Sequence, residues 1–120
     1  MYEILERYRL RILDQPFIRK NVQKIYRTYI ITMNKYAIEL FGTMFFVYVI
    51  LATGNALAIG AALTLAILIG GPISGGAFNP AVVCALVAAG KLPSTELVGY
   101  ILAEVAGALG GYYLFKSFKM

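Results

Sequence analysis

The chain has 120 residues, 60% of them hydrophobic and only 14% charged, and a soluble domain of this size has too little interior to hide so much apolar surface. The formal net charge of +5 sits entirely in residues 1–35, where Arg7, Arg9, Arg11, Arg19, Lys20, Lys24, Arg27 and Lys35 face only Glu3, Glu6 and Asp14, while the rest of the chain sums to zero. With a single cysteine, Cys84, and no histidine, an internal disulfide, a cysteine-based metal cluster and a histidine general base are excluded, so no enzyme activity, metal or cofactor is expected.

The basic tail, residues 1–35, has a helical pattern of its own. Val22, Ile25, Tyr26, Tyr29 and Ile30 recur at helical spacing with Arg19, Lys20, Lys24 and Arg27 between them, which predicts an amphipathic helix against a membrane surface or a partner. Asp14-Gln15-Pro16 supplies a cap-like start for it, and Ile4 to Leu13 reads as a second short helix. A basic segment of this kind next to a membrane helix marks the cytoplasmic side, where it meets anionic headgroups or a protein assembly; nucleic acid is the less favoured partner. A secretory signal peptide does not fit, because 35 residues of basic tail precede the first apolar segment.

Residues 36–120 form the membrane domain. From Tyr36 to Phe115 the only ionisable acids or bases are Glu39, Lys91, Glu96 and Glu104. A first span is expected over about Tyr36–Thr53, followed by a tight turn at Gly54-Asn55. A second apolar segment runs from Ala56 to about Ile69, where Gly70-Gly71-Pro72 is expected to end it. That is short for ~30 Å of hydrocarbon at ~1.5 Å per residue, unless the following residues at the interface complete the crossing. Asn79-Pro80, Ala81 to Ala89 and Gly90 then describe a self-contained helix, with Asn as N-cap, Pro in the first turn and Gly past the end. At ~15 Å it reaches half a bilayer, so it is a re-entrant segment. Lys91-Leu92-Pro93-Ser94 returns the chain to the interface, and a last span covers about Thr95–Phe115. The expected fold is an all-α membrane protein: three transmembrane helices and one re-entrant half-helix, preceded by the tail.

Chemistry concentrates where the half-helix begins. Its first N–H groups and positive dipole end point at the bilayer midplane, Asn79 can add an amide donor, and Gly75 and Gly76 let the loop backbone turn and present carbonyls. Carbonyl acceptors beside a donor and a positive dipole pass neutral hydrogen-bonding solutes and repel cations. The same residues also suit a plain loop that only reverses the chain. On the last span, Gly99, Ala103, Gly107 and Gly111 repeat every four residues and permit close helix packing, within the fold or across an oligomer. Glu104, near the middle of that span, needs a partner, and an acid bonded to Ser74 or to the loop backbone is favoured over a proton relay. Cys84, inside the half-helix, reads as packing.

Ile73-Ser74-Gly75-Gly76-Ala77-Phe78-Asn79-Pro80-Ala81-Val82 resembles the first signature loop of the aquaporin (major intrinsic protein) family. Glu39-Leu40-Phe41-Gly42-Thr43 resembles its first-span motif, and Gly99-Tyr100-Ile101-Leu102-Ala103-Glu104 through Gly107-Ala108 its third span, with Glu104 where Gln is usual. Together these match the N-terminal half of the family over residues 36–118. The resemblance implies that Asn79, in the Asn79-Pro80-Ala81 motif, is the pore donor, that Gly75, Gly76, Ala77 and Phe78 form a carbonyl ladder, and that Ile59 occupies the second-span position of the selectivity constriction. It also implies that Glu39 bonds buried backbone groups of the loop. Ala77 stands where the family usually has His, and Pro72 where a polar residue is common; both make the loop mouth less polar.

A second, inverted half with its own Asn-Pro-Ala loop is missing from the chain. Two functional readings follow. One is a channel for water or small neutral solutes, completed by an oppositely oriented copy or a partner half. The other is a non-conducting structural subunit that anchors a larger assembly through its tail; short single-loop relatives resemble proteins carried by large DNA viruses, which extends this reading to a virion membrane or capsid-associated role. In the aquaporin arrangement nine basic residues, the tail's eight and Lys91, lie on one side against Lys116 and Lys119 on the other. That bias predicts one orientation, N-terminus cytoplasmic or on the equivalent face of an internal or viral membrane, and disfavours an antiparallel homodimer.

Overall fold

The computed structural model describes residues 1–118, and the side chains of all of these except Leu13 and Met33. Lys119, counted in the charge bias, lies outside the described residues. The chain divides into two units, Met1–Thr32 and Met33–Met120. Five α-helices and one 3-10 turn account for the ordered elements, with no strand among the described residues.

The first unit contains α1, Tyr2–Leu13, and the beginning of α2, Pro16–Thr53. Asp14, expected to start the second helix, instead closes the first: its N–H donates to the Leu10 carbonyl at 2.9 Å. The proline explains the division of labour, since Pro16 has no N–H to lose in a first turn, and α2 starts there. Nearly all side chains in this unit are exposed, among them Ile4, Tyr8, Val22, Ile25 and Tyr29.

The second unit holds the rest of α2, α3 (Ala56–Ser74), α4 (Pro80–Ala88), the turn Ser94–Glu96 and α5 (Leu97–Phe118). α2, α3 and the segment Ser94–Phe118 are each long and apolar enough to cross a membrane. Gly54, at φ +55°, ends α2, and Asn55 starts α3 by accepting from the N–H groups of Leu57 and Ala58, both at 3.0 Å. α3 does not stop at Ile69. It runs on to Ser74, 19 residues in all, or ~28 Å at ~1.5 Å per residue, so it matches the hydrocarbon thickness unaided. Pro72 lies inside its last turn, where the missing N–H removes a single ladder bond, and Gly75, left-handed at φ +90°, caps the end with its N–H on the Gly71 carbonyl. α4 has nine residues and is therefore ~14 Å long, half a bilayer.

The small-residue stripe of α5 is taken up by α2. A methyl group added at Gly99 would meet the Tyr36 ring at 2.5 Å, one at Gly107 would collide with the Leu40 carbonyl, and one at Gly111 would lie 2.7 Å from the Met44 carbonyl. Numbers rise together along both helices, so α2 and α5 run parallel, main chain nearly against main chain. Ala103 is buried in the same stripe. At one end Tyr36 packs edge-on to Tyr100, with ring centroids 5.7 Å apart, and donates to Glu96 at 3.1 Å. Ala77, Val83 and Tyr100 form the buried cluster that seats α4 on α5.

Candidate functional site

The loop between α3 and α4 is five residues, Gly75–Asn79, and its backbone donors are completely accounted for. The Gly75 N–H donates to Gly71 O at 2.8 Å, and that of Gly76 to Ser74 Oγ at 3.1 Å. Ala77 and Phe78 donate to Glu39, at 3.1 Å to Oε1 and 2.7 Å to Oε2. Asn79 donates to Glu104 Oε1 at 3.1 Å. Both carboxyls are fully buried, and a buried acid is tolerable only when such donors surround it. Glu39 also accepts the Ser74 hydroxyl at 2.6 Å, while the Tyr100 hydroxyl donates to the Ser74 carbonyl at 2.6 Å. Ser74 is thus held by Glu39 and Tyr100, and Glu104 bonds the loop backbone in place of Ser74. Glu104 Oε2 receives no hydrogen bond from any described N–H or O–H.

Two backbone features make this possible. Gly75 and Gly76 have φ of +90° and +67°, and Phe78 adopts +50° without being glycine. A left-handed phenylalanine costs about 1–2 kcal/mol, and the compensation is visible around its ring. Phe78 is 2% exposed and sits against Gly42 of α2 and Gly70 of α3, where a methyl group at either position would collide with it or crowd it. The ring anchors the loop to two helices while its N–H hangs from a carboxylate of one of them.

With the N–H groups tied inward, the carbonyls of Gly75, Gly76, Ala77 and Phe78 accept no hydrogen bond among the described residues. Asn79 is exposed. Its Oδ1 caps α4 by accepting from Ala81 N–H at 2.9 Å, which leaves the amide NH₂ unengaged. Pro80 occupies the first turn and Ala81 is exposed. Ile59 is half-buried near the start of α3, ~22 Å along the helix from Ser74 and apart from the hydrogen-bonded loop. Cys84, expected to pack, is exposed, because α4 buries only Val83 fully. Gly42, Gly70 and the Tyr100 hydroxyl are the supports that reading the sequence missed, although Gly42 stands inside the Glu39–Thr43 motif and Tyr100 inside the Gly99–Glu104 one.

A family model described as "Major intrinsic protein" matches residues 53–120, more than half of the chain. The chain belongs to the major intrinsic protein family. Among its curated relatives, Glycerol uptake facilitator protein-like 6 of Lactiplantibacillus plantarum is 40% identical over 95 residues, covering 72% of this chain and 44% of that protein. Aquaporin Z of Brucella melitensis is 43% identical over 93 residues, covering 64% of this chain and 40% of its own length. This family member therefore spans less than half the length of either relative. No solved structure matches it. Family membership and three candidate spans make it an integral, multi-pass membrane protein with the lipid bilayer as its solvent.

Proposed function

We propose that the Gly75–Asn79 loop is one half of a conducting path for water or small neutral solutes, completed by a second half outside this chain. The observation that carries this reading is the sorting of polar groups in the loop. Five N–H groups are bonded inside the protein, whereas the four carbonyls and the exposed Asn79 amide have no partner among the described residues. A hydroxyl passing the loop donates to the carbonyls of Gly75 to Phe78 and accepts from Asn79, while the positive end of the α4 dipole opposes cations and protons. Pro80 and Ala81 open that helix, Ile59 lines the constriction, and Glu39 and Glu104 hold the loop. The printed names of the relatives, a glycerol uptake facilitator and an aquaporin, agree with glycerol or water as the solute.

An inverted copy of this chain is the less favoured source of that half, because the eight basic residues of the tail and Lys91, set against Lys116 and Lys119, favour a single orientation with the N-terminus cytoplasmic. The same bias supports a second reading: a non-conducting membrane subunit whose tail docks a larger assembly, such as a virion membrane or capsid.

Stopped-flow swelling of proteoliposomes containing the purified chain, alone and with candidate halves, tests the proposal. Swelling faster than in empty liposomes, reduced by Asn79→Asp, is the expected result for a completed path. If no combination exceeds empty liposomes and Asn79→Asp changes nothing, the channel reading is wrong and the subunit reading stands. Labelling both termini from each side tests the single orientation; a mixed population overturns it.

A further inference from the structure

On α1, Arg7 and Arg11 lie one helical turn apart on a common face. Ile4 and Tyr8 share that open face with them. Neither guanidinium is in an ion pair among the described residues, where Lys35–Glu96 is the pair formed, although Glu3 stands one turn before Arg7 in the same helix. Ile4 and Tyr8 are 60% and 61% exposed. Two unneutralised guanidiniums beside two uncovered apolar side chains match a ligand that is anionic at one end and hydrocarbon at the other.

We infer that the Ile4–Arg7–Tyr8–Arg11 face of α1 binds an anionic phospholipid, its phosphate bonded by the two arginines and its glycerol and upper acyl chain lying on Ile4 and Tyr8. Guanidinium forks suit phosphate oxygens geometrically. Other occupants fit less well. A second copy of this tail carries the same positive excess, eight basic residues against three acids in residues 1–35, and is repelled. Free phosphate leaves Ile4 and Tyr8 in water. The lipid is also always at hand, because the same chain crosses the bilayer, and basic side chains near an anionic leaflet are attracted within a Debye length.

The full chain in nanodiscs, which expose both faces of one lipid composition, provides the test. Chymotryptic cleavage after Tyr8 is followed by mass spectrometry in phosphatidylcholine discs and in discs that also contain phosphatidylglycerol. Cleavage is expected to slow roughly 30-fold in the anionic discs, the effect of two basic groups at a charged surface, and to recover in high salt. Arg7→Gln/Arg11→Gln should restore the phosphatidylcholine rate, with helicity by circular dichroism confirming that the variant is folded. Lys20→Gln/Lys24→Gln, on the other helix, should retain most of the protection. Equal cleavage in both disc types overturns the inference. So does an equal loss of protection in the two double variants, which reduces the effect to general basicity. Protection by inorganic phosphate in neutral discs, or only by an added acidic protein, also overturns it by assigning the face to a different ligand.

Discussion

Gly111→Ala, set against Gly110→Ala, tests the close approach of α2 and α5. The two glycines are adjacent in α5, so alanine gains the same helix propensity at both, about 1 kcal/mol. Their neighbours differ. A methyl group at Gly110 meets the tip of Met44, Cε at 2.7 Å, which is the free end of a flexible side chain. At Gly111 it meets the Met44 carbonyl at 2.7 Å, the Tyr48 nitrogen at 3.1 Å and Val47 Cβ at 3.2 Å. None of these can rotate away, so the helices must part by roughly 0.7 Å to restore ordinary contact, and overpacking of this kind costs about 1–3 kcal/mol. The difference between the two variants should therefore be about 2 kcal/mol, or roughly 30-fold in the folding equilibrium. Reversible unfolding in mixed detergent micelles, followed by circular dichroism, measures it. A Gly111→Ala protein as stable as the Gly110→Ala protein would refute the reading of the stripe as an internal helix contact.

Glu39→Gln should destabilise by about 2–3 kcal/mol in the same assay, because Glu39 accepts three donors on two oxygens and an amide turns a donor on at least one of them. Glu104→Gln should stay within about 1 kcal/mol of the parent, since an amide oxygen still accepts from the Asn79 N–H in the place of Oε1 and the NH₂ takes the place of the oxygen beside the Glu39 carboxyl. Tyr100→Phe removes the bond to the buried Ser74 carbonyl and should cost about 1–2 kcal/mol by thermal unfolding. Gly75→Ala meets no atom within 4 Å, so any loss comes from the left-handed backbone alone, about 1–2 kcal/mol; a neutral result would show that the cap at φ +90° is not required.

Legibility in the sequence followed the range of the interactions. Asn79-Pro80 with Gly90 announces α4, and Gly54-Asn55 announces the break between α2 and α3, because caps act over three or four residues. The end of α3 was misplaced because Gly70-Gly71-Pro72 carries the local signal of a stop. What keeps those residues helical is distant: the Phe78 ring over Gly70 and the Ser74 hydroxyl on Glu39, 35 residues away. The loop supports were half visible. Glu39 and Glu104 stand out as acids in apolar surroundings, but which of them takes Ser74 depends on helix rotation, which periodicity leaves open. The paired Gly42 and Gly70 seat of Phe78 carries no period at all, since it joins two helices through a third element.

The parallel contact of α2 and α5 has a mechanical consequence for the loop. Phe78 hangs from Glu39 on α2, and its neighbour Asn79 hangs from Glu104 on α5. The next residue of the α5 stripe, Gly107, rests on the Leu40 carbonyl, so the spacing of the helices is set by main-chain contact close to the acceptors. The pair of helices works as a gauge: its width fixes how far apart two consecutive amides are pulled, and with them the alignment of the carbonyls before Asn79. A change that wedges the helices apart reaches the loop even when it lies on the side of the molecule that faces lipid.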